Sequence, residues 1–187
     1  MAWLIVAALM MCLFLIILYS ALVVASDADD AMEIRAERIM TDVTPVPEPV
    51  ETWVRYDVNL EDDLQKYIEQ LCKEYEVPAP VVMAVIEVES NCDPELVGDN
   101  GNSWGLMQIY STQHTARCVR LGAWNLLDPY MNVRVGIDYL SELLNCGHGI
   151  EWALSWYNGH GGEPCEYAYT VMVRSETLLE SAQLMEE

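Results

Sequence analysis

Hydrophobic and polar positions divide the chain into three stretches. Residues 2–25 carry no charge over 24 positions, which as a helix would extend about 36 Å against a hydrocarbon core of about 30 Å. A secretory signal would have a shorter apolar region preceded by basic residues, and this segment has neither. Residues 1–25 are therefore expected to be a retained transmembrane anchor, or an uncleaved signal. Residues 26–56 are polar, acidic and then proline-punctuated (TPVPEPV), the pattern of an extended linker. From residue 57 helical periodicity takes over. In NLEDDLQKYIEQLCKEYE the positions Leu60, Leu64, Tyr67, Ile68, Leu71, Cys72 and Tyr75 share one face, and Asn59 is the expected N-cap. Pro78 and Pro80 break the chain. The run VVMAVIEV that follows is apolar nearly all round and so belongs at the centre of the domain.

The pattern predicts a helix from Gln108 through His114, a turn near Gly122, and a helix opened by Asp128 and Pro129. Val135, Ile137, Leu140, Leu143 and Leu144 form the apolar stripe of that helix, and Gly147 stops it. One further helix covers IEWALSWYNGHGG, and a last one starts at about Glu166. No segment alternates as a strand would, so residues 57–187 are expected to form a mainly α domain.

Charge narrows the range of partners. The formal net charge is -21 and the isoelectric point about 4.2, which repels nucleic acid. Twelve acids against three arginines fall in residues 27–63, so much of the charge is a solvated spacer. Five cysteines lie outside the apolar leader, namely Cys72, Cys92, Cys118, Cys146 and Cys165, an odd number that cannot all pair within one chain. Cys72 falls on an apolar helical face and reads as a buried thiol, and pairing among the other four is open. No C-x-x-C or H-E-x-x-H spacing supports a metal site, and no cofactor is expected.

The candidate chemistry sits at the end of the central helix. Glu89 closes the run PVVMAVIEVES and is followed by the glycine-rich GDNGNSWGLMQI. A carboxyl group emerging from an aliphatic wall loses solvation and keeps its proton near neutral pH, as a general acid must. Glu87 is about 200° away around the helix, so only one of the two can face a cleft. The plain alternative is a solvated glutamate at a helix end. Gly98, Gly101 and Gly105 suit turns as well as cleft lining. Met107 is core by default. Of Trp104, Trp124, Trp152, Trp156 and Tyr157, most belong to the core, with one or two left to touch a ligand.

Four blocks in order, ES, GLMQI, NVRVGIDYLSELL and ALSWYNGHG, resemble the SLT-type lytic transglycosylases and the related goose-type lysozymes over about Leu60 to Val173. The resemblance implies a lysozyme-like helical domain that cuts the β-1,4 bond between N-acetylmuramic acid and N-acetylglucosamine in peptidoglycan. It makes Glu89 the catalytic acid. Ser90, Ser103, Gly105, Met107, Gln108, Tyr139, Tyr157 and Asn158 become the substrate-binding set, while Asn132 and Gly136 join Tyr139 in a structural N-x-x-x-G-x-x-Y block. The chain departs from the family pattern at Cys92, at Trp156 in place of an alanine, and in a longer spacing from Glu89 to GLMQ. Asp99 matches a goose-type water-positioning aspartate, but Tyr110 replaces that family's second aspartate. Transglycosylation therefore ranks above hydrolysis. The rivals from other classes are a Cys-His peptidase, for which His114, His148 and His160 offer no partner block, and a catalytically silent wall-binding module. Together these readings imply a bacterial enzyme held to the lipid bilayer by its first helix. Its domain would lie outside the cytoplasm, with glycan strands as substrate and cell-envelope machinery as a partner.

Overall fold

The computed structural model describes Met11, Leu15, residues 18–20 and residues 52–186. The chain divides into two units, Met1–Pro49 and Val50–Glu187. In the first, residues 18–20 are helical. Most of the expected anchor and nearly all of the expected linker lie outside the described residues, among which no helix is long and apolar enough to cross a membrane.

The second unit is built around helix α2 (Ala79–Ser90). Val82, Met83, Ala84, Val85 and Ile86 are completely inaccessible, as expected of a helix apolar on every side. Pro80 fits its first turn, where a missing N–H costs nothing. Around it stand α1 (Asp62–Tyr75), α3 (Thr115–Leu121), α4 (Pro129–Leu144), α5 (Ile150–Tyr157) and α6 (Glu166–Ser181). Helix α6 lies along α2, α1 packs on α4, and α5 bridges α4 and α6. Asp128 caps α4 by accepting from the Met131 N–H at 2.9 Å, and Pro129 occupies its first turn.

Two small antiparallel sheets complete the unit. Strands β2 (Val97–Gly98), β3 (Ser103–Trp104) and β4 (Ile109–Tyr110) form one. Strand β1 (Thr52–Arg55) pairs with β5 (Gln183–Glu186) in the other. The domain is mainly helical, as expected, but these strands are a correction. Three of them are two residues long, too short for alternation to register.

Three boundaries also differ from expectation. The folded unit takes in residues 52–56, which the sequence pattern places in the linker. Trp53 and Tyr56 are buried, Val54 N–H donates to the Glu69 carboxylate at 2.7 Å, and Tyr56 N–H donates to Gln65 Oε1 at 2.9 Å. Helix α1 starts at Asp62 instead of after Asn59, with Glu61 at the cap position. Buried Gln65 explains this, since its amide also donates to the Leu60 carbonyl and ties the preceding segment down as a turn. No helix runs from Gln108 to His114. Gln108 has a left-handed φ of 44°, its neighbours enter β4, and the helix begins only at Thr115. The five cysteines of this unit carry free thiols.

Candidate active site

Helix α2 ends in two glutamates with opposite fates. Glu87 faces α6, where the Arg174 guanidinium grips both carboxylate oxygens at 2.6 and 3.0 Å. Glu89, two residues further, turns into a cavity of about 330 Å³. Between this helix end and the next loop, Ser90 acts as a rivet: its Oγ is near the Ile86 carbonyl at 3.0 Å and the Leu106 carbonyl at 2.9 Å, two acceptors for its one proton.

The segment Gly105–Gln108 runs beneath the site, with Gln108 reaching its wall, and is fixed from behind by Asn132. That side chain, fully buried, accepts from Met107 N–H at 2.8 Å and donates to the carbonyls of Trp104 and Leu126 at 2.7 and 2.8 Å. Met107 packs on Gly136, where an added Cβ would lie 2.8 Å from the methionine methyl. The freed Met107 carbonyl then accepts from Tyr157 Oη at 2.8 Å, which seats the end of α5 against this segment. Tyr139 stands behind, 5.3 Å from Tyr157 and 4.5 Å from His114 between ring centres. Arg117 lies over the Tyr139 ring and binds Asp138 at 2.7 Å. Gln108 has its amide N–H groups committed to the carbonyls of Leu96 and Gly105.

The cavity wall combines Glu89, Asp99, Ser103 and Gln108 with Tyr110, Gln113, Tyr157, Asn158 and the glycines 98 and 159. Of the residues singled out from sequence, Ser103, Gln108, Tyr157, Asn158 and Asp99 thus meet Glu89 around one space. Ser90, Gly105 and Met107 lie beneath its lining, and Tyr139 backs Tyr157. Asp99 accepts a short hydrogen bond from Ser103 Oγ.

The Glu89 carboxyl is pushed up to about 7, first by its burial. The Asp99 charge adds to the rise, and a hydrogen bond from Tyr167 Oη to Glu89 Oε1 at 2.6 Å opposes it. Burial and the facing carboxylate hold the Tyr167 phenol well above its ordinary range. It is a neutral donor, locked in place. The group can therefore exist as an acid or as its conjugate base near neutral pH, which is what proton delivery followed by proton recovery requires.

Sequence reasoning missed Tyr167, as well as Tyr110 and Gln113 as wall residues. Tyr167 comes from α6, 78 positions after Glu89. The available signal was a stripe, Tyr167, Val171, Arg174 and Leu178, at spacings of three and four. It marks an inward face without naming what lies opposite. Among the described residues, no group of three or more His, Cys, Asp or Glu could hold a metal ion.

A family model described as Transglycosylase SLT domain matches residues 66–166. Similar solved structures include the 70 kDa soluble lytic transglycosylase of Escherichia coli, 24% identical over 59% of this chain with a TM-score of 0.46. An inactive mutant of a lytic transglycosylase from Pseudomonas aeruginosa is 20% identical over 58% of this chain, also with a TM-score of 0.46. This chain spans 18% and 20% of the lengths of those proteins.

Proposed function

The chain belongs to the transglycosylase SLT domain family, and from that premise we propose that it is a peptidoglycan lytic transglycosylase with Glu89 as its single acid and base. One observation carries the reading. The only acid raised to about 7 among the described residues stands in a cleft with Asp99, Gln108, Tyr157 and Asn158.

In the proposed mechanism, protonated Glu89 delivers its proton to the glycosidic oxygen as the bond between N-acetylmuramic acid and N-acetylglucosamine breaks. The 6-hydroxyl of the same muramyl ring then closes on the developing oxocarbenium carbon, and the Glu89 carboxylate takes up the hydroxyl proton. The products are a 1,6-anhydro end and a free 4-hydroxyl end, and the enzyme returns to its starting protonation state. Intramolecular attack gains from effective concentration and needs no bound water, so one carboxyl does the work that two share in most glycosidases. Tyr167 orients the acid, and Gln108, Tyr157 and Asn158 supply the polar wall against which sugar amides and hydroxyls can be held.

Asp99 favours one second reading. Its carboxylate lines the same cavity, anchored by Ser103, and could position water for hydrolysis as in goose-type lysozymes. The uncharged 24-residue leader supports anchoring in a lipid bilayer, which would place the domain outside the cytoplasm and confine cutting to strands near the membrane, where cell-envelope machinery works.

The test is to incubate the chain and its Glu89→Gln variant with purified peptidoglycan and identify the released ends by mass spectrometry. Anhydro ends from the parent alone are expected, with activity at least about 10³-fold lower in the variant. Reducing ends would turn the assignment to hydrolysis, and the absence of any product would overturn the enzyme reading.

A further inference from the structure

Three aromatic rings run along one side of α5 and the turn before it, at positions 148, 152 and 156. The spacing of four puts 152 and 156 on one helical face. The His148 ring stacks on Trp152 with centres 4.4 Å apart and planes at 29°. Trp152 in turn meets Trp156 at 5.6 Å and 52°. Gly162 closes the group. A Cβ there would lie 2.5 Å from Trp152 Cδ1 and 2.9 Å from Trp156 Nε1, and its φ of +85° is one that side chains rarely adopt. Backbone and a second indole thus hold the Trp156 ring, yet 42% of the residue remains exposed. Packing alone does not account for an indole so placed, since a core role would cover it.

The backbone connects this ring to the cavity. Gly159 N–H donates to the Trp156 carbonyl at 3.0 Å, His160 N–H to the Ser155 carbonyl at 2.8 Å, and Asn158 N–H to the Leu154 carbonyl at 3.1 Å. Asn158 and Gly159 line the cavity wall. The turn that carries the wall thus follows directly on the helix end that carries the ring, two and three residues after Trp156.

We propose that Trp156, buttressed by Trp152 and by the bare backbone of Gly162, is a sugar-stacking subsite that receives a pyranose ring of the glycan strand beyond the Glu89 cavity. The choice of occupant rests on the peptidoglycan reading above and on the chemistry of the surface. An indole face is apolar and electron-rich, so it suits the uncharged C–H face of a sugar. Because neighbours already fix the ring, little side-chain freedom is lost on binding.

Binding can be read apart from catalysis in the full chain carrying Glu89→Gln, with co-sedimentation on purified, cross-linked peptidoglycan. Adding Trp156→Ala is expected to weaken retention about tenfold, a change of about 1.4 kcal/mol. Trp156→Phe, which keeps an aromatic face, should restore most of it. Trp156→Leu fills the same apolar contact without that face and should bind as poorly as the alanine variant, so loss through misfolding is separable by the melting curve of the leucine protein. Equal retention by the Glu89→Gln parent and its leucine derivative would overturn the subsite, as would failure of every variant to bind. Failure of the enzyme reading is distinct: the unmodified chain would release no muropeptides while the retention series still reported on Trp156.

Discussion

Glu89, the proposed acid, shows how a desolvated cleft carboxyl is set against stability. The carboxyl has an ordinary value of 4.5 and sits at about 7 in the folded chain, so between those pH values the native state binds more protons than the unfolded one. Stability therefore falls as pH rises through that window, and the full penalty is present above about pH 7. The penalty is on the order of 2 kcal/mol after allowance for the group's contact with solvent. Glutamine keeps the shape and an acceptor for Tyr167 without the charge. Glu89→Gln should thus melt several degrees higher than the parent at pH 8 and at the same temperature below pH 4.5. Thermal denaturation at the two pH values checks this, and a variant no more stable at pH 8 would show that Glu89 is better solvated than its surroundings indicate. The same property should give activity a limb that declines above about pH 7, as the acid form is lost.

At the scale of elements, the site depends on how closely α4 approaches the Gly105–Gln108 segment. Gly136 is what permits that approach. Alanine there would gain about 1 kcal/mol of helix propensity, but its methyl would fall 2.8 Å from Met107 Cε and 3.0 Å from Met107 Cβ. The methionine is completely buried and cannot swing into solvent. Overpacking of this kind costs about 1–3 kcal/mol, so Gly136→Ala is expected to be destabilised overall. A lower midpoint in urea with an unchanged slope would report it. Displaced Met107 also moves the carbonyl that receives Tyr157 Oη, so activity should fall more than stability alone explains. The periodicity of α4 was plain in the sequence, but the need for glycine at one position was not, because it arises from a side chain 29 residues away.

At the scale of the whole unit, β1 and β5 bring together segments about 130 residues apart and fasten the two ends of the domain side by side. The residues around the cavity all lie between them. Removing residues 183–187 should therefore lower stability by about 1–2 kcal/mol, within the range of losing one peripheral element, and leave muropeptide release intact. A calorimetric scan with an end-group assay separates the two effects. Loss of activity in a still-folded truncation would show that the clasp also shapes the cleft.

The sequence by itself determined the helical class of the domain, the central place of α2, the capped start of α4 at Asp128, and Glu89 as the acid worth following. Each follows from a local rule: an all-apolar run must be buried, an Asp-Pro pair starts a helix, and an acid at the end of such a run is desolvated. Tertiary structure alone decided which partner each group met. Glu87 and Glu89 are near neighbours in the chain, yet one is neutralised by Arg174 and the other is held by Tyr167, both from α6. Ser90, Gly105 and Met107, which sequence grouped with the cleft, lie beneath its lining. Ser103 and Asn158 face the space. The two-residue strands and the clasp of β1 with β5 left no readable trace either, since pairing between distant segments is fixed by backbone hydrogen bonds that every sequence can make. Periodicity reports which face of an element is buried. What buries it, and at what distance, is settled only when the elements pack.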